Sequence, residues 1–77
     1  MKIEILGMGC PKCRQLTANA EAASKELGVN AEIVKIEDID KITGYGVMMT
    51  PALVIDGLVV SAGKVLNKDE IKKIISK

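Results

Sequence analysis

The sequence predicts an α/β fold in a single domain, residues 1–77, with the element order βαβαββα. Three patterns support this prediction. A strand-like apolar run precedes a long amphipathic helical pattern, a two-residue turn joins two later apolar runs, and a capped amphipathic helix comes last. A chain of 77 residues, 48% of them apolar, has enough material for one small core and too little for a second domain.

The first half of the chain is predicted to form a strand, a helix and a second strand. Lys2–Leu6 forms the first strand, and residues 31–36, which alternate in part, form the second. The helix between them begins at Pro11, where the missing N–H has no consequence, and ends at Gly28. Its buried face repeats at intervals of three and four residues and consists of Cys13, Leu16, Ala20, Ala23 and Leu27.

The second half begins with a short helix that Asp38 caps, that runs through Thr43 and that Gly44 closes. The continuous apolar run Ala52–Ile55 is typical of a strand covered on both faces. A tight hairpin turn then leads to the returning strand, Leu58–Ala62.

The turn and the last helix have specific signals. Asp56 and Gly57 both tolerate positive φ, as a two-residue hairpin requires. Asn67 and Glu70 have the spacing of a capping box at the start of the last helix. Four residues form the buried face of that helix: Leu66, Ile71, Ile74 and Ile75.

The charge pattern and composition exclude several classes of function. The 11 basic and 10 acidic residues are scattered, and the chain has neither Phe nor Trp, so nothing indicates nucleic-acid binding. No apolar stretch is long enough to span a membrane, and the first residues do not follow the plan of a signal peptide. We therefore expect a soluble, cytoplasmic protein that acts as a monomer.

The two cysteines, Cys10 and Cys13, are the candidate catalytic residues. They lie three apart where the first helix begins, so free backbone amides and the helix dipole would favour the thiolate of Cys10. Cys13 is in register with Leu16 and should be shielded. The sequence therefore predicts thiol–disulfide exchange, in which Cys10 attacks and Cys13 resolves the mixed disulfide, and this chemistry requires no histidine and no cofactor.

Three segments together resemble the thioredoxin superfamily, and in particular its small thioredoxin-like or glutaredoxin-like members in archaea and bacteria. They are the run from Cys10 to Cys13, Thr50-Pro51 ahead of an apolar strand, and the Asp56-Gly57 hairpin. The resemblance implies a thioredoxin-like fold, with a four-stranded mixed sheet flanked by helices. It also implies a protein disulfide oxidoreductase, whose partners are protein disulfides and a reductase of the thioredoxin-reductase type.

The resemblance further implies a surface that binds the partner. The bond before Pro51 is expected to be cis, with Pro51 packed against the disulfide and the backbone of Thr50 paired with the partner chain. Met8, Pro11 and Lys12 complete the expected substrate-binding set. The methionines in this region, Met8, Met48 and Met49, are candidates for an adaptable apolar surface, although burial in a core is the commoner fate of methionine.

The chain departs from the thioredoxin pattern at several positions. Gly9 replaces the usual Trp, and the dipeptide between the cysteines is Pro-Lys rather than Gly-Pro. The redox potential of thioredoxins is therefore not expected to apply to this chain. A full set of glutathione-binding residues is absent from the sequence. Glu4 lies six residues before Cys10, where thioredoxins have a buried acid, but it shares a strand face with Lys2, which favours a solvated side chain. Tyr45 is expected to cover a core edge rather than to approach the disulfide.

A metal-binding interpretation competes with this one. The segment from Gly7 to Cys13 also resembles the Gly-Met-x-Cys-x-x-Cys motif of heavy-metal-associated domains, which bind Cu(I) or Zn(II) on a βαββαβ fold. The late hairpin and the final helix favour disulfide exchange, with no metal bound. A third possibility, a scaffold that only binds partners, applies if the cysteine pair is inert.

Overall fold

The computed structural model describes residues 1–9 and 11–76, and within them the element order is βαβαββα, as predicted. The four strands are β1 (Lys2–Leu6), β2 (Glu32–Ile36), β3 (Ala52–Ile55) and β4 (Leu58–Ala62). The three helices are α1 (Pro11–Leu27), α2 (Ile39–Gly44) and α3 (Lys68–Ile75). In this part of the chain, no helix is both long enough and apolar enough to cross a membrane.

The strands form one mixed sheet in the order β2-β1-β3-β4. β1 pairs in parallel with β2 and antiparallel with β3, and β3 and β4 form the predicted hairpin. Asp56 at the turn has a φ of 49° and Gly57 a φ of 82°, the left-handed conformations that the turn requires. The fold class predicted from the sequence is therefore confirmed.

Each face of the sheet carries its own core. Because side chains alternate along a strand, Ile3 and Ile5 face α1 and α3, whereas Leu6 faces α2. The larger cluster contains Ile3, Ile5, Leu16, Ala20, Ala23, Leu53, Leu66, Ile71 and Ile75. The smaller cluster contains Leu6, Ile42, Val47, Ala52 and Val54. The central strand β3 contributes to both, as its continuous apolar run predicted.

The predicted caps are present in both later helices. The side chain of Asp38 accepts a hydrogen bond from the backbone N–H of Asp40 at 2.9 Å. Asn67 and Glu70 form a capping box, in which Asn67 accepts from the Glu70 N–H at 2.8 Å and Glu70 accepts from the Asn67 N–H at 3.1 Å. The last turn of α2 extends one residue beyond the prediction, to Gly44.

Two details of the prediction were wrong. β2 begins at Glu32 and not at Ala31, because the N–H of Ala31 donates to the carbonyl of Val29 and is part of a turn. Leu27 is 37% exposed instead of buried. The 17 residues of α1 extend about 25 Å, whereas a five-residue strand extends about 17 Å, so the helix is longer than the strands it packs on and Leu27 is its last residue.

Candidate functional site

Cys13 lies in the first turn of α1 and is buried, with 5% of its surface exposed. The face that packs on the sheet places it there, in register with Leu16, as the periodicity predicted. One turn later, the hydroxyl of Thr17 donates to the Cys13 carbonyl oxygen at 2.9 Å. Cys10, the other predicted catalytic residue, lies outside the described residues.

Gly7 brings the end of β1 into direct contact with Cys13. A Cβ atom added to Gly7 would overlap the sulfur of Cys13 and would lie 3.9 Å from the Cβ of Thr50. The N–H of Gly7 donates to the carbonyl of Ile36 at 3.0 Å, which extends the parallel pairing one residue past β1. Only a residue without a side chain therefore fits between this strand and the first turn of the helix. This role of Gly7 was not predicted, although a glycine between a strand and a cysteine motif is a signal for it.

Met8 and Thr50, two of the predicted substrate-binding residues, line one groove of about 320 Å³. Its other lining residues are Ile39, Ile42, Thr43, Val47 and Met48. The groove is largely apolar, and Met8 and Ile39 are each 61% exposed. Because Thr50 also approaches Gly7, and Gly7 contacts Cys13, one end of the groove borders the cysteine motif.

Thr50 and Pro51 occupy different environments. Thr50 is exposed, whereas the side chain of Pro51 is fully buried at the start of β3. The peptide bond between them is cis, as the family resemblance implied. The carbonyl of Pro51 accepts a hydrogen bond from the N–H of Gly63 at 2.9 Å, which ties this turn to the end of β4.

The other predicted substrate-binding residues, Pro11 and Lys12, are exposed in the first turn of α1. They precede Cys13 directly but do not line the groove that Met8 and Thr50 share. The structure therefore brings Met8 and Thr50 together and leaves Pro11 and Lys12 on the rim of the motif.

A second cleft, of about 340 Å³, opens on the charged side of Cys13. Arg14, Lys35 and Glu37 line it together with Cys13. Glu37 follows β2 just as Gly7 follows β1, and its carboxylate would lie 3.1 Å from a Cβ atom on Gly9. Parallel pairing of β1 and β2 would have indicated that Glu37 lies near the cysteine motif, because parallel strands end at the same edge of the sheet.

Glu4 is buried, with 7% of its surface exposed, so the prediction of a solvated side chain was wrong. Its strand face is covered by the end of α2, where the hydroxyl of Tyr45 donates to Oε2 of Glu4 at 2.8 Å. This hydrogen bond to the carboxylate raises the pKa of Tyr45 above its usual value, and partial desolvation and the negative charge of Glu4 act in the same direction. Tyr45 is partly buried and packs against the smaller core, as expected.

The fold does not match the alternative built on metal binding. A heavy-metal-associated domain has the order βαββαβ, whereas the described residues place the hairpin late and end in α3. Within residues 1–9 and 11–76, no group of three or more His, Cys, Asp or Glu side chains is arranged to hold a metal ion.

Comparisons with known proteins point in one direction. The model of the thioredoxin domain family matches residues 1–76. A protein named thioredoxin from Methanothermobacter thermautotrophicus is 47% identical over 76 residues, covering 99% of each chain. Another of the same name, from Methanocaldococcus jannaschii, is 44% identical over 71 residues, covering 92% of this chain and 81% of that protein.

Proposed function

This chain belongs to the thioredoxin family and is a thiol–disulfide oxidoreductase, and we propose that Cys10 is its nucleophile and Cys13 its resolving thiol. The observation that carries this assignment is the burial of Cys13 in the first turn of α1. A thiol that is 5% exposed and packed against Gly7 is poorly accessible to a protein disulfide. We therefore assign Cys13 to the second step, in which it attacks a mixed disulfide formed on Cys10, three residues earlier in the sequence.

The proposed reaction has two steps. The thiolate of Cys10 attacks one sulfur of the partner's disulfide, which forms a mixed disulfide and releases the other partner sulfur as a thiolate. Cys13 then loses its proton and attacks the Cys10 sulfur, so the bond to the partner breaks and the Cys10–Cys13 disulfide closes. The partner gains two electrons and the enzyme loses two.

The partner is a protein disulfide, and we place its chain on the groove lined by Met8 and Thr50. The groove borders the cysteine motif through Thr50 and Gly7, and its apolar lining suits the side chains that flank a partner's cysteine. Pro11 and Lys12 contact the same partner from the exposed first turn of α1, and Thr50 contacts it from the turn before β3. Pro51, whose side chain is buried, acts by positioning Thr50 rather than by direct contact.

The oxidised form needs a source of electrons, and the proposal assigns this role to a reductase of the thioredoxin-reductase type. The two relatives that carry the name thioredoxin support this choice. The proposal also treats residues 1–77 as one domain that works as a monomer in the cytoplasm. A reactive rather than structural cysteine pair is typical of that compartment.

Trapping of the mixed disulfide tests the roles of the two cysteines. Reduced Cys13→Ser protein, incubated with oxidised insulin, should accumulate a covalent adduct through Cys10, because no resolving thiol remains. Mass spectrometry should detect the adduct and its release by dithiothreitol. Cys10→Ser is the matched control: it should form no adduct, and its insulin reduction should fall to the background rate.

Two results would contradict the assignment. One is insulin reduction by Cys10→Ser at a rate near that of the unmodified protein. The other is the reverse trapping pattern, with the adduct formed by Cys10→Ser and not by Cys13→Ser.

A further inference from the structure

We propose that Met8 and Met48 form an oxidation site through which peroxide weakens the binding of protein partners. This inference rests on the proposed function, because it requires that the groove lined by these two residues receives the partner chain. The modification itself is the conversion of a thioether to a sulfoxide.

The two side chains are placed for this modification. Met48 is 97% exposed and Met8 is 61% exposed, so both side chains are accessible to peroxide in the folded protein. Both line the same groove, in which Thr50 lies close to the cysteine motif. Two exposed thioethers therefore belong to the surface that the partner must cover.

The oxidation step needs only the methionine and hydrogen peroxide, and no cofactor. The methionine sulfur donates an electron pair to hydrogen peroxide, the O–O bond breaks, and one oxygen stays on the sulfur as a sulfoxide. The other oxygen leaves as water. Dithiothreitol does not reduce the sulfoxide, whereas it reduces a cysteine disulfide or sulfenic acid back to the thiol.

The sulfoxide should affect docking and not folding. Almost the whole side chain of Met48 is in solvent, so an added oxygen is hydrated in the free protein and breaks no core contact. Once a partner covers the groove, the same oxygen loses its water in a groove that Ile39 and Val47 also line. Burial of a polar atom without a hydrogen-bond partner is unfavourable, so the oxidised surface binds partners more weakly.

The chain offers a matched control in Met49. This residue follows Met48 and is 65% exposed, but it does not line the groove. Its sulfur would lie 3.4 Å from a Cβ atom on Gly63, so Met49 packs towards the end of β4. Its oxidation should leave partner binding unchanged.

The experiment treats the disulfide form of the protein with hydrogen peroxide, so that both cysteines are protected as a disulfide. After removal of peroxide and reduction with dithiothreitol, thiol alkylation checks that two thiols return, and peptide mapping locates the sulfoxides. The rate of insulin reduction is then compared with the rate for a small aromatic disulfide, which is too small to need the groove.

We expect the KM for insulin to rise about fivefold or more, with the rate on the small disulfide unchanged. The double variant Met8→Leu with Met48→Leu keeps an apolar groove of similar volume and should keep its insulin KM after peroxide. Met49→Leu, in contrast, should show the same rise in insulin KM after peroxide treatment as the unsubstituted protein.

Two outcomes would overturn the inference while the proposed function stands. In the first, protein carrying both sulfoxides reduces insulin with an unchanged KM. In the second, the double leucine variant loses as much affinity as the unmodified protein. Failure of untreated protein to reduce insulin is a different result, because it would overturn the proposed function and this inference with it.

Discussion

Gly7 leaves no room for a side chain between the end of β1 and the sulfur of Cys13. In Gly7→Ala, the new methyl group would overlap the sulfur of Cys13, so the first turn of α1 must shift. We expect a loss of about 1–3 kcal/mol in the free energy of unfolding, the usual range for overpacking in a tight site. Urea unfolding measures this loss, and trapping in the Cys13→Ser background shows whether Cys10 still reacts.

Gly44 is the matched control for this substitution. It ends α2, and a Cβ atom there would meet no other atom within 4 Å. Gly44→Ala should therefore leave both stability and exchange essentially unchanged. Equal stability of the two alanine variants would show that the contact between Gly7 and Cys13 is not tight.

Single residues also show where sequence reasoning stops. The spacing within the helical pattern was enough to predict that Cys13 is buried and in register with Leu16. The environment of Glu4 was not predictable in this way, because alternation shows which strand face a residue is on and not what covers that face. The covering residue, Tyr45, is 41 positions away, and only the folded chain brings its hydroxyl to the carboxylate.

Among the elements, α1 and α3 are held together at their exposed edge by one carboxylate. Glu26 of α1 pairs with Lys68 at 2.5 Å and with Lys72 at 3.2 Å, both from α3. The two lysines, Lys68 first, hold the pKa of Glu26 below its ordinary value, and Glu26 in turn raises the pKa of Lys68. The two pKa shifts are opposite in direction, because each charge stabilises the charged form of the other group.

The pH dependence of stability follows from the lowered pKa of Glu26. A lowered folded-state pKa means that the stabilisation is fully present above the unfolded value, near 4.5, and is lost as the pH falls through the folded value. Glu26→Gln should therefore lower the free energy of unfolding slightly at pH 7. Below pH 4.5 this difference should shrink as the pH falls. The effect is small because the three side chains are 30–43% exposed and solvent screens the charges.

Urea unfolding of Glu26→Gln at neutral and acidic pH measures this difference. Glu21→Gln is the matched control, because Glu21 is also exposed on α1 but makes none of these ion pairs. A stability difference between the Glu26 variant and the unmodified protein that stays constant between pH 7 and pH 3 would contradict the prediction.

Elements were more predictable than their ends. Asn67 and Glu70 identify the start of α3 because capping is local chemistry between residues three apart. Leu27 was assigned to a buried face because its spacing fits the helix, but burial depends on how far the sheet extends beneath it. The sequence pattern of a helix does not show how long the strands beneath it are.

At the scale of the whole molecule, the two faces of the sheet are unequally supported. The larger core, on the face that α1 and α3 cover, contains nine buried residues, and the smaller core, on the face that α2 covers, contains five. Within α2, six residues long, only Ile42 is buried. Because burial of apolar surface is the main stabilising contribution, α2 should open at a lower free energy than the rest of the fold.

Native-state hydrogen exchange at increasing urea concentration measures this difference. Backbone amides of α2 should exchange through an opening of lower free energy than those of β1 and β3, which belong to the global unfolding unit. Ile42→Ala and Ile71→Ala form a matched pair, since each removes the same atoms from one of the two cores. Ile71→Ala should lower the global free energy of unfolding by about 2–5 kcal/mol, whereas Ile42→Ala should mainly speed exchange in α2.

The consequence for function lies in the position of α2, which supplies Ile39, Ile42 and Thr43 to the groove proposed for the partner. A wall of low local stability can adjust to partners of different shape, while Cys13 stays fixed on α1 against the larger core. If α2 amides exchanged only with global unfolding, the groove would be as rigid as the cysteine motif, and partner choice would depend on its fixed shape alone.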